Sequence, residues 1–313
     1  MDDIMAGGEK AKSSGEYGEA IVGKLLKLIG WDNPNNGVSV PCVFEEKHDK
    51  QKHGIDYIYQ YRSPLRDSTK QEVLISVKCR DNYPSTEDGV KKKFKEFLID
   101  LAQAMECYPA CDISKRKIQN TTKKTTSGLI FWIDRNRGDG RENIGVIDKI
   151  GNFYLKEECT YEVISLVDNK RAQFLYSLLT FTKAKYGENN VEFFYINTGL
   201  NNASLNRIYT GKIMPVEYVN ANVIPLAIVN SDKKTLLLGT TDNFCKEYLL
   251  RLIGLAQELT STWVASVIIA FPDYNEFENS EDVINAKNEF ENSGFLNSIE
   301  VITFNPDFRD GVK

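Results

Sequence analysis

The chain has 313 residues, of which 42% are hydrophobic and 27% are charged, and its formal net charge is −5. This length suffices for two cores of about 150 residues each, so we expect two domains. No window approaches the roughly 18 uninterrupted apolar residues of a membrane span, and the polar first residues lack the apolar stretch of a signal peptide. We therefore expect a cytoplasmic protein that is neither membrane-embedded nor secreted.

The charge is distributed unevenly along the chain. Residues 1–77 carry 10 basic and 12 acidic side chains, residues 78–141 carry 14 and 9, and residues 142–313 carry 15 and 23, which gives balances of −2, +5 and −8. A basic middle section suits a surface that faces phosphates, whereas an acidic C-terminal half suits a protein partner. Charge runs can also do no more than solvate a surface, and this alternative stays open.

The first helix is predicted to follow a flexible lead of residues 1–13. Ser13 or Ser14 is expected to cap it, and its apolar residues recur at helical spacing up to Gly30. Glu16 and Glu19 lie in its first turns, where acidic side chains favour the helix dipole. Glu19 could in addition lean over a neighbouring sheet as an acidic group of a functional site.

Both histidines of the chain, His48 and His53, lie in the segment EEKHDKQKHG, after a short predicted strand, VSVPCVF. A spacing of five residues places them on neither a common helix face nor a common strand face, and no pair of cysteines is close in sequence. The sequence therefore does not favour a zinc site here. The cysteines are scattered without a CxxC pair and are expected to be reduced, mostly packed thiols: Cys42, Cys79, Cys107, Cys111, Cys159 and Cys245.

Two strands joined by a long turn are predicted over residues 54–80, GIDYIYQYRSPLRDSTKQEVLISVKCR. YIYQY and EVLISVKC are rich in β-branched and aromatic residues, and turn-forming residues separate them. Asp56 begins the first strand and Lys78 ends the second, so their side chains can face each other on adjacent strands. A Mg2+-assisted hydrolytic site requires a carboxylate beside an ammonium group in this way, although the same two residues could form a structural ion pair.

The predicted basic surface lies on the next two segments. An amphipathic helix is predicted over VKKKFKEFLIDLAQAMECY, and its start carries positive charge against the preference of the helix dipole, which indicates phosphate contact: Lys91, Lys92, Lys93 and Lys95. Residues 112–128 contain few large apolar side chains and are predicted to form a mobile loop that could close over a duplex. This loop carries Lys115, Arg116, Lys117, Lys123 and Lys124. A buried strand, LIFWID, is predicted from Leu129.

The order helix, three strands, helix, strand, with the segments GEYGEAIVGKLLKLIGW, GID and ISVKC, resembles the PD-(D/E)xK nuclease superfamily over roughly residues 14–135. The resemblance implies a restriction-endonuclease-like αβββαβ core that hydrolyses phosphodiester bonds with Mg2+ or Mn2+. By position, Glu19 matches the helical glutamate of that family, Asp56 the central aspartate and Lys78 the motif lysine. The resemblance implies that Asp56 and the carbonyl of Val77 bind the metal, that Glu19 holds a metal-bound water, and that Lys78 orients the attacking water or stabilises the phosphate.

One position departs from the family pattern. Two residues before the lysine, where the superfamily usually has an acid, this chain has Ser76. Residues i and i+2 of a strand share a face, so Ser76 points to the same site as Lys78, but a neutral hydroxyl binds Mg2+ more weakly than a carboxylate. Some branches, similar to the Mrr-like ones, have a neutral glutamine there and remain nucleases. Glu72 on the same strand and Gln103 on the following helix are candidates to substitute for the missing acid.

A second α/β or α+β domain is predicted from the alternation of strands and helices, which gives domains of residues 1–155 and 156–313. YEVISLV is its first predicted strand and IEVITF its last, and IGVIDKIGNFYL before the boundary is predicted to be a hairpin. Its polar residues form no recognisable catalytic motif, so substrate grip, dimerisation or partner binding is the expected role. The two parts together also resemble the nuclease-type subunit of two-gene anti-phage defence systems, which implies a companion protein and foreign DNA as the target.

Three functions from different classes remain open at this point. The first is a metal-dependent endonuclease that acts on DNA, as a homodimer or with a companion protein. The second is a nuclease-like fold that binds nucleic acid without cutting it, because Ser76 has disabled the site. The third is a structural or assembly subunit.

Overall fold

The computed structural model describes residues 2–135, 145–151, 160–201, 207–230, 234–260, 266–290 and 293–306, except for the side chains of residues 2–13 and of residue 293. The chain divides into two compact units, Met1–Gln173 and Phe174–Lys313. This division falls later than the boundary placed near residue 155 from the sequence. The reason is that YEVISLV, predicted to open the second domain, pairs with a strand of the first unit.

The first unit contains the predicted order of helix, three strands, helix and strand, and the predicted α/β class is confirmed. Short helices and one further strand interrupt or follow this order. The elements are α1 (Asp2–Leu28), β1 (Asn35–Pro41), α2 (Glu45–His48), β2 (Lys52–Arg62), β3 (Thr69–Arg80), α3 (Glu87–Cys107), α4 (Asp112–Lys115), β4 (Lys123–Asp134), α5 (Ile147–Ile150) and β5 (Val163–Val167).

These five strands form one mixed sheet in sequence order. β2 is antiparallel to both β1 and β3, and Tyr57 pairs with Ile75, which confirms the predicted pair of strands joined by a turn. β4 is parallel to β3 and to β5. The parallel pairing extends along all of β3, so the chain after α3 returns to the end of the sheet at which β3 began.

Helices cover both faces of this sheet. α3 packs Phe97 and Leu101 into an apolar cluster with Leu74 of β3 and Trp132 of β4. α1 approaches β3 at Val77 and Cys79. Because successive side chains of a strand point to opposite faces, the even-numbered residues near the end of β3 face α3 and the odd-numbered ones face α1.

Several boundaries differ from the sequence predictions. α1 begins at Asp2, so residues 2–13 of the predicted flexible lead are helical, and they contain no proline that would oppose this. α3 begins at Glu87, because the Thr86 hydroxyl accepts a hydrogen bond from the Gly89 amide and caps the helix earlier than the apolar pattern indicated.

The segment predicted to be a mobile loop, residues 112–128, is largely ordered structure. It contains α4, and β4 begins at Lys123 because Lys123 and Lys124 pair with Thr69 and Lys70 at the start of β3. This ladder pairing outweighs the polar composition of the segment. The predicted hairpin IGVIDKIGNFYL, residues 144–155, instead contains the short helix α5. Its residues 144 and 152–155 lie outside the described residues, as does Cys159.

The second unit contains a mixed six-stranded sheet with the order β11-β10-β9-β8-β6-β7. β9, β10 and β11 are parallel, whereas β6, β7 and β8 pair in antiparallel fashion. The elements are α6 (Asn169–Tyr186), which contains the division between the units, β6 (Val191–Phe194), β7 (Thr210–Gly211), β8 (Val223–Val229), β9 (Lys234–Thr240), α7 (Lys246–Thr260), β10 (Ser266–Phe271), α8 (Glu276–Lys287), α9 (Ser293–Leu296) and β11 (Ile299–Thr303). Across the part of the chain that is described, no helix combines the length and apolar content that membrane crossing needs.

Candidate functional site

Asp56 of β2 is held against the end of β3 by a hydrogen bond from the main chain. Its Oδ2 accepts a hydrogen bond from the main-chain amide of Val77 at 2.6 Å. The hydroxyl of Ser76, which is buried, interacts favourably with the same carboxylate. The hairpin therefore brings Asp56 and Ser76 together, as the sequence predicted for neighbouring strands.

Burial raises the pKa of Asp56 above its ordinary value, and the nearby Asp100 carboxylate raises it further. The Val77 amide, the Lys78 ammonium and the Ser76 hydroxyl each lower it, but they do not compensate for the burial. The surroundings of this carboxyl group therefore supply too little positive charge to offset the burial of its ionised form. A bound cation would remove this deficit.

Lys78 lies between an aromatic ring and a carboxylate of α3. Its Nζ is 3.5 Å from Oδ2 of Asp100 and 5.6 Å from the centre of the Phe97 ring. Oδ1 of Asp100 accepts a hydrogen bond from Lys50 at 2.5 Å, and Lys50 also donates to Oε1 of Gln103 at 3.2 Å. Burial raises the pKa of Asp100, but Lys50 and Lys78 more than offset this, so the pKa lies below its ordinary value.

Asp100 and Lys50 are site residues that the sequence reasoning missed. Asp100 follows Phe97 by three residues, so both lie on the side of α3 that faces Lys78. This spacing is the signal that could have identified Asp100. Lys50 stands in the segment between the two histidines, which offers no periodicity from which its direction could be predicted.

Glu19 of α1 is brought close enough to Asp56 for the two carboxylates to affect each other. The Tyr57 hydroxyl donates a hydrogen bond to the main-chain carbonyl of Glu19 at 2.8 Å, which ties this turn of α1 to the strand position after Asp56. Burial raises the pKa of Glu19, and the charges of Asp56 and Glu16 raise it further. Glu19, Asp56 and Lys78 therefore form one electrostatic group.

Gly18 permits the close approach of α1 to β3. A Cβ atom at this position would lie 2.5 Å from Cβ of Cys79 and 3.3 Å from Cγ1 of Val77. The first distance is too short for any side chain, so only glycine allows the helix to lie this near the strand. Since Glu19 is the next residue, the same contact sets the height of its carboxylate above the sheet.

Glu72 does not serve as the missing acid of the site. It is fully buried, and Oε1 accepts hydrogen bonds from Gln60 at 2.6 Å and from Tyr108 at 3.0 Å. Lys70 lies 2.8 Å from Oε1 and Lys124 lies 3.5 Å from Oε2. These partners account for the charge and the hydrogen bonds of Glu72, so the suggestion that it substitutes for an acid at position 76 is wrong.

The oxygen donors around Asp56 suit a hard divalent cation. The carboxyl groups of Asp56 and Glu19 both have raised pKa values, and the buried hydroxyl of Ser76 interacts with Asp56. A strand residue directs its N–H and C=O to the same edge of the strand, so the Val77 carbonyl faces β2 as its amide does. Carboxylate and carbonyl oxygens are the ligands that Mg2+ and Mn2+ prefer. The residues present therefore fit such an ion. They supply two carboxylates, and Ser76 takes the place of the third acid that the family usually has.

The predicted phosphate-binding lysines of α3 lie beyond its first turn, which holds Glu87 and Asp88. The argument from the helix dipole therefore does not apply to them. Lys91 forms an ion pair with Glu87, and Lys93 lies 2.6 Å from Glu96. Lys92 is exposed and Lys95 is half-buried.

The basic residues after α3 also differ among themselves. Lys115 forms an ion pair with Asp112 at 3.0 Å, Arg116 donates to Oδ1 of Asn35 at 3.0 Å, and Lys124 donates to the Ser114 hydroxyl at 2.8 Å. Lys117 and Lys123 are exposed. Contact of any of these residues with nucleic acid stays a prediction.

Comparison with known proteins identifies the first unit. A family model described as the GAPS4 protein PD-(D/E)XK nuclease domain matches residues 5–171, which is more than half of the chain and spans α1 to β5. No curated protein and no solved structure matches the chain.

Proposed function

The chain belongs to the family of GAPS4 PD-(D/E)XK nuclease domains, and from this premise we propose that it is an endonuclease that cleaves DNA with Mg2+ or Mn2+. Membership of the family makes it a nuclease, a hydrolase that acts on nucleic acid. Nucleases of this kind generally use divalent metals. The choice of DNA, the ion and the residue roles below belong to the proposal.

The observation that carries the proposal is the convergence of Glu19, Asp56 and Lys78. They come from α1, β2 and β3, in the order in which the family has its helical glutamate, central aspartate and motif lysine. Structural ion pairs do not require two carboxylates with raised pKa values beside one lysine. A hydrolytic site does require such an arrangement, because a cation and a phosphate must both be attracted to it.

We assign the metal ligands to Asp56 and the carbonyl of Val77, with Glu19 holding a water of the ion. When bound, the ion would neutralise charge on the phosphate and promote ionisation of water. Ser76 interacts favourably with the Asp56 carboxylate and stabilises its charged form. Asp100 accepts from Lys78 and fixes the ammonium group near the site.

Lys78 is assigned to the phosphate that is attacked. In hydrolysis the water oxygen forms a bond to phosphorus, the bond from phosphorus to the leaving sugar oxygen breaks, and water supplies the proton that the leaving oxygen gains. Negative charge grows on the non-bridging oxygens as this happens. An ammonium group beside them stabilises that charge more in the transition state than in the substrate.

A second candidate function is binding of nucleic acid without cleavage. Ser76 is the observation that favours it, since this buried hydroxyl stands where the family usually has an acid and adds no negative charge. Among the described residues near Lys78, the Asp100 carboxylate already interacts with two lysines. The metal affinity of the site then decides between the two functions.

We further propose that the protein acts in anti-phage defence in the cytoplasm, with a companion protein. The family description and the resemblance of the whole chain support this. The second unit, whose sequence is acidic, would then serve dimerisation or binding of the companion, since the residues described there form no catalytic group that we recognise.

The experiment is cleavage of labelled duplex DNA and of RNA, with Mg2+, Mn2+ or EDTA, with and without the companion protein. Asp56→Ala and Lys78→Ala should each lower the rate by about two to three orders of magnitude, as removal of one transition-state contact does. Asp49→Asn and Lys52→Gln are matched controls, because these exposed residues change charge outside the site. Cleavage by both alanine variants at the wild-type rate would contradict the residue assignment. Binding without product in either metal would favour the second function.

A further inference from the structure

Four buried side chains that are far apart in sequence meet beside the nuclease site. Cys42 follows β1, His48 ends α2, His53 lies near the start of β2, and Cys107 ends α3. One ligand atom from each of them, a sulfur or a ring nitrogen, lies within 4.8 Å of all the others. None of these four side chains belongs to the group of Glu19, Asp56 and Lys78.

The distances match those expected around one tetrahedral metal ion. Sγ of Cys42 and Sγ of Cys107 are 3.7 Å apart, and Nδ1 of His48 lies 3.3 Å and 3.5 Å from these two sulfurs. For zinc–sulfur bonds of about 2.3 Å and zinc–nitrogen bonds of about 2.0–2.1 Å, a tetrahedron places two sulfurs about 3.8 Å apart and a sulfur and a nitrogen about 3.5–3.6 Å apart. The sulfurs are too far apart for a disulfide, whose bond is about 2.05 Å.

The ring nitrogens of His53 give a second, independent indication that this group binds an ion. Its residue is 3% exposed, and both ring nitrogens are buried without a hydrogen-bond partner among the described residues. A neutral imidazole has one donor and one acceptor nitrogen, and leaving both unpaired in the interior is unfavourable. A metal bond to one nitrogen removes half of this cost.

His48 has the outer partner that is typical of zinc ligands. Its Nε2 lies 3.0 Å from Oε2 of Glu106, while its Nδ1 points to the two sulfurs. A carboxylate on the far nitrogen fixes the tautomer and the ring direction of a metal-binding histidine. Lys47, at 2.9 Å from Oε1, holds the same carboxylate from the other side.

We propose that Cys42, His48, His53 and Cys107 bind a structural Zn2+ ion. Four protein ligands leave no open position, which is the pattern of structural zinc sites, and two thiolates with two imidazoles favour zinc over Mg2+. The site is therefore chemically separate from the oxygen donors around Asp56. The inference does not rest on the proposed function.

A zinc ion at this position would fix the elements that carry several residues of the nuclease site. His48 and His53 bracket Lys50, whose ammonium binds Asp100, and Asp56 follows His53 by three residues on β2. Cys107 ends the same helix that carries Asp100. One ion would thus hold the ends of β1, α2, β2 and α3 together. It would thereby fix the position of Asp100 on α3 relative to Lys78 on β3. The four ligands act on the reaction only through these positions.

Zinc content of the protein, purified without chelator, is the direct test. We expect one zinc per chain by mass spectrometry of the metals, and its release into a colorimetric zinc indicator when an organomercurial blocks the thiols. Substitution with Co2+ should give the visible absorption of a tetrahedral site and a thiolate-to-cobalt charge-transfer band. These measurements use the wild-type chain, so they do not depend on variants that fold and they do not use nuclease activity.

Variants then identify the ligands. Cys107→Ser and His53→Gln should lose the zinc and the thiolate or ligand-field signal, and Glu106→Gln should weaken zinc binding about 10- to 100-fold. Cys111→Ser, at a buried free thiol outside the group, and Asp56→Asn should retain the zinc. A wild-type chain without zinc, or one in which Co2+ produces no thiolate band, would overturn the proposal. So would a disulfide between Cys42 and Cys107 in the purified protein, or full zinc retention by both ligand variants.

Discussion

The main-chain amide of Val77 donates a hydrogen bond to the carboxylate of Asp56 across 2.6 Å. The aspartate is therefore positioned by the backbone of β3, not by a flexible side chain. Because the same strand presents Ser76 and Lys78 on the opposite side from α1, one stretch of three residues determines the surroundings of Asp56. Changes within this stretch should alter metal binding and stability together.

Replacement of Asp56 by asparagine should abolish cleavage and stabilise the protein in the absence of metal. Burial raises the pKa of this carboxyl group above its ordinary 3.8, so its charged form costs folding free energy at neutral pH. Asparagine can still accept from Val77 but carries no charge. We expect an increase of about 0.5–2 kcal/mol in the free energy of unfolding, the usual range for relief of a site that favours function over stability.

The pH dependence of this gain has a defined sign. A carboxyl group with a raised pKa contributes no penalty at a pH below its unfolded value, because it is protonated in both states. The advantage of Asp56→Asn should therefore be present at neutral pH and shrink as the pH falls towards 3.8. Thermal unfolding in EDTA at several pH values measures it. Added Mg2+ should stabilise the wild type more than the variant, and equal stabilisation of both would contradict metal binding by Asp56.

Substitution of Ser76 by glutamate should tighten metal binding. It places a second carboxylate beside Asp56 on the face of Lys78, and hard cations favour anionic oxygen ligands. The buried position makes this variant less stable than the wild type in EDTA, because two like charges then face each other. Titration with Mn2+ or Ca2+, followed by calorimetry, measures the affinity.

Ser76→Ala is the matched control for this titration. It removes the hydroxyl that interacts with Asp56 without adding charge, so it should not bind metal more tightly than the wild type. An unchanged affinity of Ser76→Glu, in a variant shown to be folded by circular dichroism, would place Ser76 outside the metal site.

A methyl group at Gly18 should displace α1 from β3. The added carbon would lie 2.5 Å from Cβ of Cys79, an atom next to the backbone that cannot turn away. We expect a loss of about 1–3 kcal/mol in stability, the usual range for overpacking. Cleavage should fall as well, because Glu19 moves with the helix. Unfolding in urea and the cleavage rate measure the two effects.

Gly15 offers the control within the same helix. No atom lies within 4 Å of a Cβ built at Gly15. Gly15→Ala should therefore gain about 1 kcal/mol from helix propensity and retain the cleavage rate. Equal behaviour of the two variants would show that the approach of α1 to β3 does not matter for the site.

The site residues that sequence could predict are those whose directions follow from local periodicity. Asp56, Ser76 and Lys78 lie on neighbouring strands, so a period of two residues and one turn suffice to bring them together. Glu19 follows from helical spacing and the family order. Asp100 is 22 residues from Lys78, and their contact depends on how α3 lies across the sheet. The crossing angle between α3 and the sheet cannot be predicted from the periodicity of the sequence.

The group of cysteines and histidines shows the same limit more strongly. Cys42 and Cys107 are 65 residues apart, and His48 and His53 lie on a short helix and on a strand. Their spacing argued against a zinc site, since no pair of ligands shares a helix or strand face. The fold brings them together because β1, β2 and α3 end or begin at one corner of the first unit.

The prediction of a mobile loop over residues 112–128 was wrong for a related reason. The pairing of this segment with β3 depends on residues that are distant in sequence.

The last prediction is that exposed lysines of the basic middle section contact the phosphates of nucleic acid. Lys92 and Lys117 are the most suitable to test, because both are exposed, whereas Lys91 and Lys93 form ion pairs along α3. Each lost phosphate contact on duplex DNA should reduce the slope of log affinity against log salt by about 0.9, so that the double change to glutamine reduces it by about 1.8. Substitution of exposed side chains usually changes stability by no more than about 0.5 kcal/mol, so the fold should persist.

Binding of a labelled duplex at several salt concentrations, in EDTA to prevent cleavage, gives this slope. A variant with Lys185→Gln and Arg251→Gln removes the same charge from the second unit, where both residues are exposed. Its slope should equal that of the wild type, because the slope reports phosphate contacts, which the proposal places in the basic middle section, and not the net charge of the chain. An equal reduction in both double variants would show that net charge, and not contact, governs binding. An unchanged slope in the Lys92 and Lys117 variant would show that these side chains only solvate the surface.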